Sequence, residues 1–138
     1  MKKAAEELER LFQALGDRTR LRLLNLMQGG EVCVCFFVEV LDEPQPKISR
    51  HLAYLRSAGL VTARREGKWM QYSIKQPKNE TAREIFEHAL ATMAGDPEMH
   101  RDRAALMKAC CSPRVPDLLK RAPKPAGISG AAWRGSAL

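Results

Sequence analysis

The chain has 138 residues, of which 45% are hydrophobic, and carries a formal net charge of +7, which fits one small domain with a modest core. The sequence has no apolar run of about 18 residues, so it excludes a membrane-spanning helix. Glutamates interrupt the N-terminal stretch MKKAAEELERLFQALG, so we expect an amphipathic helix of a cytoplasmic protein there rather than a signal peptide.

The positive charge is concentrated in one part of the sequence. Residues 45–75 carry seven basic side chains and one acidic one, whereas residues 1–44 and 76–111 are each slightly negative. A basic segment in an otherwise near-neutral chain is typical of a surface that contacts phosphates, because a solvated charged face usually mixes both signs. The charge pattern alone therefore favours a nucleic-acid partner.

Apolar periodicity predicts two helices at the start of the chain. The first ends near Gly16 and has one apolar face, formed by Leu8, Leu11, Phe12 and Leu15. Asp17 is a suitable N-cap for the second helix, because its side chain can accept hydrogen bonds from the first backbone N–H groups. The second helix has an apolar stripe formed by Leu21, Leu24 and Met27, and Gly29-Gly30 ends it.

A third helix and a hairpin occupy the basic segment. The turn DEPQPK leads into PKISRHLAYLRSAG, in which Pro46 fits the first helical turn. Ile48, Leu52 and Leu55 point inward, which leaves polar and basic side chains on the other faces. The stretch LVTARREGKWMQYSI then alternates as two strands that turn around Glu66-Gly67-Lys68, which predicts a basic hairpin.

The C-terminal part of the sequence continues with helices. Asn79 or Thr81 can begin a helix with an apolar stripe as far as Met93, and Gly95-Asp96-Pro97 breaks it. A shorter helical piece around residues 98–109 then leads to a second pair of cysteines.

The predicted elements are helices, a turn, a helix with polar ends and a basic hairpin. This is the order found in a winged helix-turn-helix, which is a mainly α fold with a β-hairpin. In that fold one helix enters the major groove and the hairpin contacts the adjacent backbone. We therefore assign residues 1–95 to a DNA-binding and dimerisation domain and residues 96–111 to a helical segment that ends in a cysteine pair. Residues 112–138 form a basic tail whose composition predicts disorder.

Four segments carry motifs at characteristic positions: LFQALGDRTRLRLLNLM, EVCVC, QPKISRHLAYLRSAGLV and RREGKWMQYSI. In this order they resemble the opening helices, the thiol motif, the recognition helix and the wing of the ArsR/SmtB family of metal-responsive transcriptional repressors, and specifically its arsenic-sensing ArsR branch. The resemblance covers about residues 5–94. It implies a repressor rather than an enzyme. The repressor is expected to bind operator DNA as a homodimer, in which the first and last core helices form the dimer interface.

The same resemblance implies which residues contact DNA. The recognition helix supplies candidates for groove and phosphate contacts, and the wing supplies candidates for backbone contacts. The DNA-binding candidates are Gln45, Lys47, Ser49, Arg50, His51, Arg64, Arg65 and Lys68. A two-fold dimer is expected to bind an inverted repeat with half-sites about 10–10.5 bp apart, or a multiple of that spacing.

The four cysteines stand too close in pairs to make a disulfide framework, and clustered thiols in a reducing compartment favour soft-metal or redox chemistry. The resemblance implies that the thiolates of Cys33 and Cys35 bind trivalent arsenic, with arsenite as the inducer and antimonite or methylarsenite as alternatives. The family motif often has a third cysteine where this chain has Val38. Cys110 and Cys111 therefore either supply a third sulfur, bind separately or take no part.

The shape of the thiol segment is ambiguous. Val, Phe and Cys at a period of two favour a strand, whereas the resemblance implies that Val32–Leu41 is helical. Cysteines two apart on a helix are rotated by about 200°, so one ion binds both only if that turn unwinds or begins irregularly. We expect the distortion to weaken DNA binding by about 1–3 kcal/mol.

Three other hypotheses compete with this interpretation. A winged-helix regulator that uses its cysteines as a thiol redox switch is the main alternative, and arsenite titration under full reduction separates the two. A zinc site on the last helix is disfavoured, because His88 and His100 are separated by the helix breaker Pro97. An enzyme is disfavoured because no glycine-rich phosphate loop and no Cys-x-x-Cys motif occur.

Overall fold

The computed structural model describes residues 2–111 and 121–125, apart from the side chains of Lys2, Lys3 and Cys111. The predicted disorder of the tail falls mainly on residues 112–120 and 126–138, outside the described residues. The helices and strands are α1 (Lys2–Leu15), α2 (Arg18–Leu26), β1 (Val32–Cys33), α3 (Val34–Leu41), α4 (Gln45–Ser57), β2 (Val61–Glu66), β3 (Trp69–Ile74), α5 (Glu80–Met93) and α6 (Pro97–Cys111). Within the described ranges, no helix is both long enough and apolar enough to cross a bilayer.

The helix boundaries follow the predicted capping residues. The Asp17 side chain accepts a hydrogen bond from the backbone N–H of Arg20 at 3.0 Å, and Asn79 does the same for Ala82 at 2.9 Å. Each cap satisfies one of the backbone donors that have no partner inside the helix. The predicted start of α2 is therefore confirmed, and of the two predicted starts of α5 the Asn79 cap is the one observed.

The hairpin is formed as predicted, and a third strand extends it. Glu66 pairs with Trp69 across a two-residue loop whose first residue, Gly67, has a φ of +60°. A side chain is strained in that conformation, which explains a glycine at this position. The three strands are antiparallel in the order β1-β3-β2, so the wing strand β3 also pairs with the thiol segment.

The prediction of a continuous helix over Val32–Leu41 is wrong at its start. Val32 and Cys33 form a strand, in which Cys33 lies opposite Gln71, and the helix begins only at Val34. Both strand residues are buried, and pairing with β3 satisfies backbone groups at the edge of the hairpin. The local β propensity therefore decides the first two residues, and the implied helix is correct for the remaining eight.

One hydrophobic core joins all of these elements. It includes Phe36 and Phe37 of α3, Leu52 of α4, Phe86 of α5 and Leu106 of α6. Because α3 packs against α4 in this core, a displacement of the thiol segment is felt by the helix that follows it.

The last helix is longer than predicted and is bound tightly to the core. Instead of a piece around residues 98–109, α6 covers Pro97–Cys111 and packs against α2 and α3. The Arg22 guanidinium donates two hydrogen bonds to the Asp102 carboxylate at 2.7 and 3.0 Å. Buried Asn25 donates to the Met99 carbonyl. These polar contacts between residues about 80 positions apart left no periodic signal in the sequence.

Candidate DNA interface and dithiol site

The first half of α4 presents polar side chains to solvent. Gln45, Ser49 and Arg50 are exposed, and Arg50, the charged residue among them, forms no ion pair within the described part of the chain. Lys47 is partly buried, and its ammonium lies 3.0 Å from the Glu43 carboxylate. Three of the predicted contact residues are therefore available to a DNA groove, and the fourth shares its charge with a neighbouring acid.

His51 occupies a different environment from the other candidates on α4. Its ring is half-buried towards α2, with Nδ1 3.3 Å from the Arg20 guanidinium and 3.9 Å from the Asp17 carboxylate. Burial lowers the pKa of His51, the nearby Asp17 opposes that shift, and the nearby arginines and Lys47 add to it. A neutral, half-buried ring is suited to holding α4 against α2.

Two basic residues of the wing are exposed. Arg65 and Lys68 both lie on the surface of the hairpin, and the Lys68 ammonium stands 5.1 Å from the centre of the Trp69 ring. Trp69 itself is half-buried and packs against the core. The wing tip is thus anchored to the core by Trp69 and carries the positive charge of Lys68.

Arg64 is exposed as well, but unlike Arg65 and Lys68 it forms ion pairs with two carboxylates. Its guanidinium donates to the Glu31 carboxylate at 3.0 and 2.6 Å, and lies 3.3 Å from Glu66. The hydrogen bond from Arg64 lowers the pKa of Glu31, and the two carboxylates raise the pKa of Arg64. The ion pair joins the thiol segment to the wing, which charge counting along the sequence does not reveal.

Sequence reasoning missed one residue that positions α4. Arg20 donates to the backbone carbonyls of Gln13 and Ala14, both at 2.8 Å, at the end of α1. Its guanidinium also lies 4.2 Å from the centre of the Tyr54 ring. This single side chain joins α1, α2 and α4, and nothing in the sequence distinguishes it from Arg18 or Arg22 nearby.

The structure brings the sulfurs of Cys33 and Cys35 to 3.2 Å from each other. Cys33 is the N-cap of α3, with extended backbone angles (φ −72°, ψ 141°), so the rotation expected of two helical residues does not apply. Cys33 is buried and Cys35 is half-buried. Of the two predicted ways in which both thiols can meet, unwinding of the turn or an irregular start, the structure shows the irregular start, because the strand-to-helix boundary lies between them.

The two thiols differ in acidity because one donates a hydrogen bond to the other. The hydrogen bond from Cys35 lowers the pKa of Cys33 to about 7, against the opposing effect of burial. Donating that hydrogen bond, together with burial, raises the pKa of Cys35. Cys33 is therefore the thiol that ionises first and the stronger nucleophile at neutral pH.

The second pair of cysteines is only partly described. Cys110 is buried on α6, and its thiol lies 3.5 Å from the Met107 carbonyl oxygen, whereas the side chain of Cys111 lies outside the described residues. Among the residues that the structure describes, no three His, Cys, Asp or Glu side chains are grouped closely enough to hold a metal ion. The structure therefore brings together two of the four predicted thiol ligands.

The donor set of this pair suits a soft, thiophilic centre. Two bonds of about 2.3 Å, the length of zinc–thiolate bonds, bridge sulfurs 3.2 Å apart at an angle of about 90°. An angle of that size is narrower than a tetrahedral ion prefers and fits a three-coordinate pyramidal centre such as trivalent arsenic. Cys33 and Cys35 are the residues that would hold it.

A polar α4 face, a basic hairpin and the order of the elements together define a DNA-binding regulator of the winged helix-turn-helix class. Residues 17–63 match the family model described as "Bacterial regulatory protein, arsR family". That range contains α2, α3, α4 and the first thiol pair.

The chain is similar to curated regulators over most of the described part. It is 45% identical over 80 residues to the arsenical resistance operon repressor of Escherichia coli, covering 57% of this chain and 68% of that protein. It is 36% identical over 99 residues to the arsenic resistance transcriptional regulator ArsR2 of Pseudomonas putida, covering 71% of this chain and 84% of that protein.

Solved structures share the fold. A homodimeric winged helix-turn-helix DNA-binding domain from Mycobacterium bovis aligns with a TM-score of 0.56 at 28% identity, covering 66% of this chain and 82% of that one. The transcriptional repressor BigR from Xylella fastidiosa aligns with a TM-score of 0.53 at 30% identity, covering 67% and 91%. The chain belongs to the arsR family of bacterial regulatory proteins, and it is a transcription regulator rather than an enzyme.

Proposed function

We propose that this protein is an arsenite-responsive repressor that binds operator DNA as a homodimer and leaves it when trivalent arsenic binds Cys33 and Cys35. The observation that carries the proposal is the 3.2 Å separation of these two sulfurs at the junction between the wing sheet and α3. The names of the relatives from Escherichia coli and Pseudomonas putida support arsenic as the inducer. The repressor acts in the cytoplasm, where DNA is accessible and thiols stay reduced.

The DNA half of the proposal rests on exposure and charge. Gln45, Ser49 and Arg50 contact the groove and nearby phosphates, assisted by Lys47, while Arg65 and Lys68 contact the backbone from the wing. Arg64 and His51 remain candidates, but their present partners assign them to holding the wing and α4 in position.

The dimer half of the proposal rests on α1 and α5. These two helices pack side by side, and Phe12 of α1 is 55% exposed, which is unusual for so large an apolar side chain. Half-buried Leu8 and Ile85 lie on the same two helices. The homodimeric state of the Mycobacterium bovis domain supports a homodimer, and the exposure of Phe12 supports the α1 side as its interface.

Coupling between the two sites follows from what surrounds the thiols. Cys33 is paired with the wing strand β3, and Cys35 lies in the first turn of α3, which packs against α4. The sulfurs can keep their present separation, but the arsenic atom and its third substituent add volume to a packed site, so β1 and the start of α3 shift to make room for them. Both DNA-reading elements then shift, and a coupling of about 1–3 kcal/mol weakens DNA binding about 5–150-fold.

The test is arsenite titration of the protein bound to fluorescent operator DNA, with a phosphine keeping all thiols reduced. Wild type is expected to release the DNA, and Cys35→Ser is expected to bind it normally and keep it bound at the same arsenite concentration. Normal release by Cys35→Ser would show that the Cys33–Cys35 pair is not the sensing site.

The second pair of cysteines calls for point substitutions rather than truncation, because Cys110 belongs to the core. Cys110→Ala keeps most of the buried volume, and Cys111→Ser removes the neighbouring thiol. If the double variant binds one arsenic per subunit and releases DNA like wild type, the second pair takes no part. A loss of one bound arsenic with normal release would assign it a separate site, and a loss of release would make it part of the sensor.

A thiol redox switch is the second candidate, and the same sulfur separation favours it. A disulfide forms between the two thiols when an oxidant accepts two electrons from them and both thiol protons are released. In this case reduced protein stays on the operator at every arsenite concentration and is released only when an oxidant is added. The antimonite and methylarsenite alternatives are compared in the same titration.

The DNA contact is tested by substitution on α4. Arg50→Ala is expected to weaken operator binding at least tenfold and to flatten its salt dependence, since each phosphate contact releases counterions. Arg101→Ala, an equal loss of charge on the exposed surface of α6, is the matched control. Equal effects of the two substitutions would mean that only net charge matters and that α4 has no special role.

A further inference from the structure

A buried polar atom without a partner lies beside the dithiol site. Gln71 is only 4% exposed, and its side-chain oxygen Oε1 is the single buried side-chain atom without a hydrogen-bond partner in the described part of the chain. An unsatisfied buried acceptor of this kind costs about 1–3 kcal/mol. An unpaired buried group of this kind calls for an explanation, and one explanation is a ligand that supplies the missing partner.

The strand register places Gln71 next to Cys33. The two residues are directly opposite each other in the β1–β3 pair, so their side chains leave the same face of the sheet with Cβ atoms about 4.5–5.5 Å apart. On the other side Gln71 is opposite Arg64, whose ion pair with Glu31 crosses β3 at this level. The carboxamide is therefore enclosed between the wing and the thiols.

The orientation of the carboxamide is fixed by its other end. Nε2 donates a hydrogen bond to the Glu66 carboxylate at 3.3 Å, and a carboxylate can only accept at that point. The nitrogen must therefore face Glu66, and the oxygen is left as an acceptor. What the site lacks is a hydrogen-bond donor on the ligand.

Arsenite bound by two thiols carries such a donor. Arsenite is As(OH)₃, and each thiol that reacts forms an As–S bond, breaks an As–O bond and releases one water, with no change of oxidation state. After two such exchanges one hydroxyl remains on arsenic. We propose that Gln71 Oε1 accepts the hydrogen bond of that hydroxyl, so that Cys33, Cys35 and Gln71 together recognise arsenite as a two-sulfur, one-hydroxyl ligand.

This inference rests on the proposed function and adds selectivity to it. Methylarsenite bound by the same two thiols keeps a methyl group in place of the last hydroxyl and has nothing to offer Gln71. The orphan acceptor would then remain unsatisfied in the complex. The site accordingly prefers the inorganic ligand, without a third cysteine.

The test compares both ligands on wild type, Gln71→Met and Gln76→Met, by following the sulfur–arsenic absorbance under full reduction. Methionine keeps the length and volume of glutamine without its polar atoms, and Gln76 is an exposed glutamine that serves as the matched control. Gln71→Met is expected to raise the dissociation constant for arsenite about 3–10-fold and to leave that for methylarsenite within about twofold. Gln76→Met should change neither.

Two further measurements separate the possible failures. X-ray absorption of the wild-type arsenite complex should show two sulfur neighbours and one oxygen, and three sulfurs would overturn the inference. Thermal unfolding of ligand-free Gln71→Met should not occur at a lower temperature, since removal of the orphan oxygen offsets the loss of the hydrogen bond to the exposed Glu66, which keeps Arg64 as a partner. If Gln71→Met loses affinity equally for both ligands, or loses none, the proposed role of Gln71 is refuted and the proposed function is unaffected. Absence of arsenite binding to wild type would refute the proposed function as well.

Discussion

The chemistry of the thiol site depends on the backbone at one residue. Cys33 has extended backbone angles and caps α3, which turns its sulfur towards Cys35 instead of away from it. The hydrogen bond that results lowers the pKa of Cys33 to about 7, so near neutral pH Cys33 is partly ionised while Cys35 stays protonated. A pair in this state is suited to stepwise capture of a thiophilic ligand.

The rate of arsenite capture is expected to follow the ionisation of Cys33. Because its pKa is lowered to about 7, the thiolate fraction increases through neutrality, and the second-order rate constant should be about tenfold lower at pH 6 than at pH 8. Stopped-flow absorbance of Cys35→Ala provides the control, since alanine cannot donate the hydrogen bond and the pKa of Cys33 then returns towards that of an ordinary thiol. A wild-type rate that is constant over this pH range would contradict the assignment.

At the scale of elements, α6 is a structural part of the domain. Its buried pair Arg22–Asp102 has side-chain exposures of 19% and 8%, whereas the neighbouring pair Arg18–Glu98 has 71% and 32%. Both ion pairs join α2 to α6, so the main difference between them is how far they are buried. Burial decides which of them contributes to stability.

Asp102→Asn is expected to lower the free energy of unfolding by about 2–3 kcal/mol, because it leaves the Arg22 charge without its partner in a mostly buried site. Urea unfolding followed by circular dichroism measures the change. The matched substitution Glu98→Gln should cost less than about 1 kcal/mol, as exposed pairs generally do. Similar costs for the two would mean that α6 is held by its apolar face alone.

At the scale of the whole molecule, the exposed apolar side chains indicate where a second copy binds. Phe12 on α1 and Met107 on α6 are both large and exposed, at 55% and 44%. The helix of Phe12, α1, packs against α5, which supplies further half-buried apolar residues. We therefore expect the dimer to form on the α1 side.

Phe12→Glu is expected to shift the protein to monomers in sedimentation equilibrium at micromolar concentration, because it places a charge in the proposed interface. Operator binding should fall with it, since two half-sites must be bound together. Met107→Glu is the control and should remain dimeric. Dimers in Phe12→Glu and monomers in Met107→Glu would move the interface to α6.

The sequence by itself determined the order of the helices and the hairpin, the cap at Asp17, a start of α5 at Asn79 or Thr81 and a turn around Glu66-Gly67-Lys68, because these depend on residues close together in the chain. It also located the basic segment and the first thiol pair. The ArsR-type motifs in the same order indicated the family, which the comparisons confirmed.

Only the tertiary structure decided what each polar side chain does. The partners of Arg64, the packing of His51 against α2 and the strand pairing that ends at Cys33 all depend on residues brought together from distant parts of the chain. The isolated oxygen of Gln71 is of the same kind, since its environment consists of Cys33 on one side and Arg64 on the other. Periodicity and charge counting record which faces are apolar or basic, but a hydrogen-bond partner is a property of the folded chain.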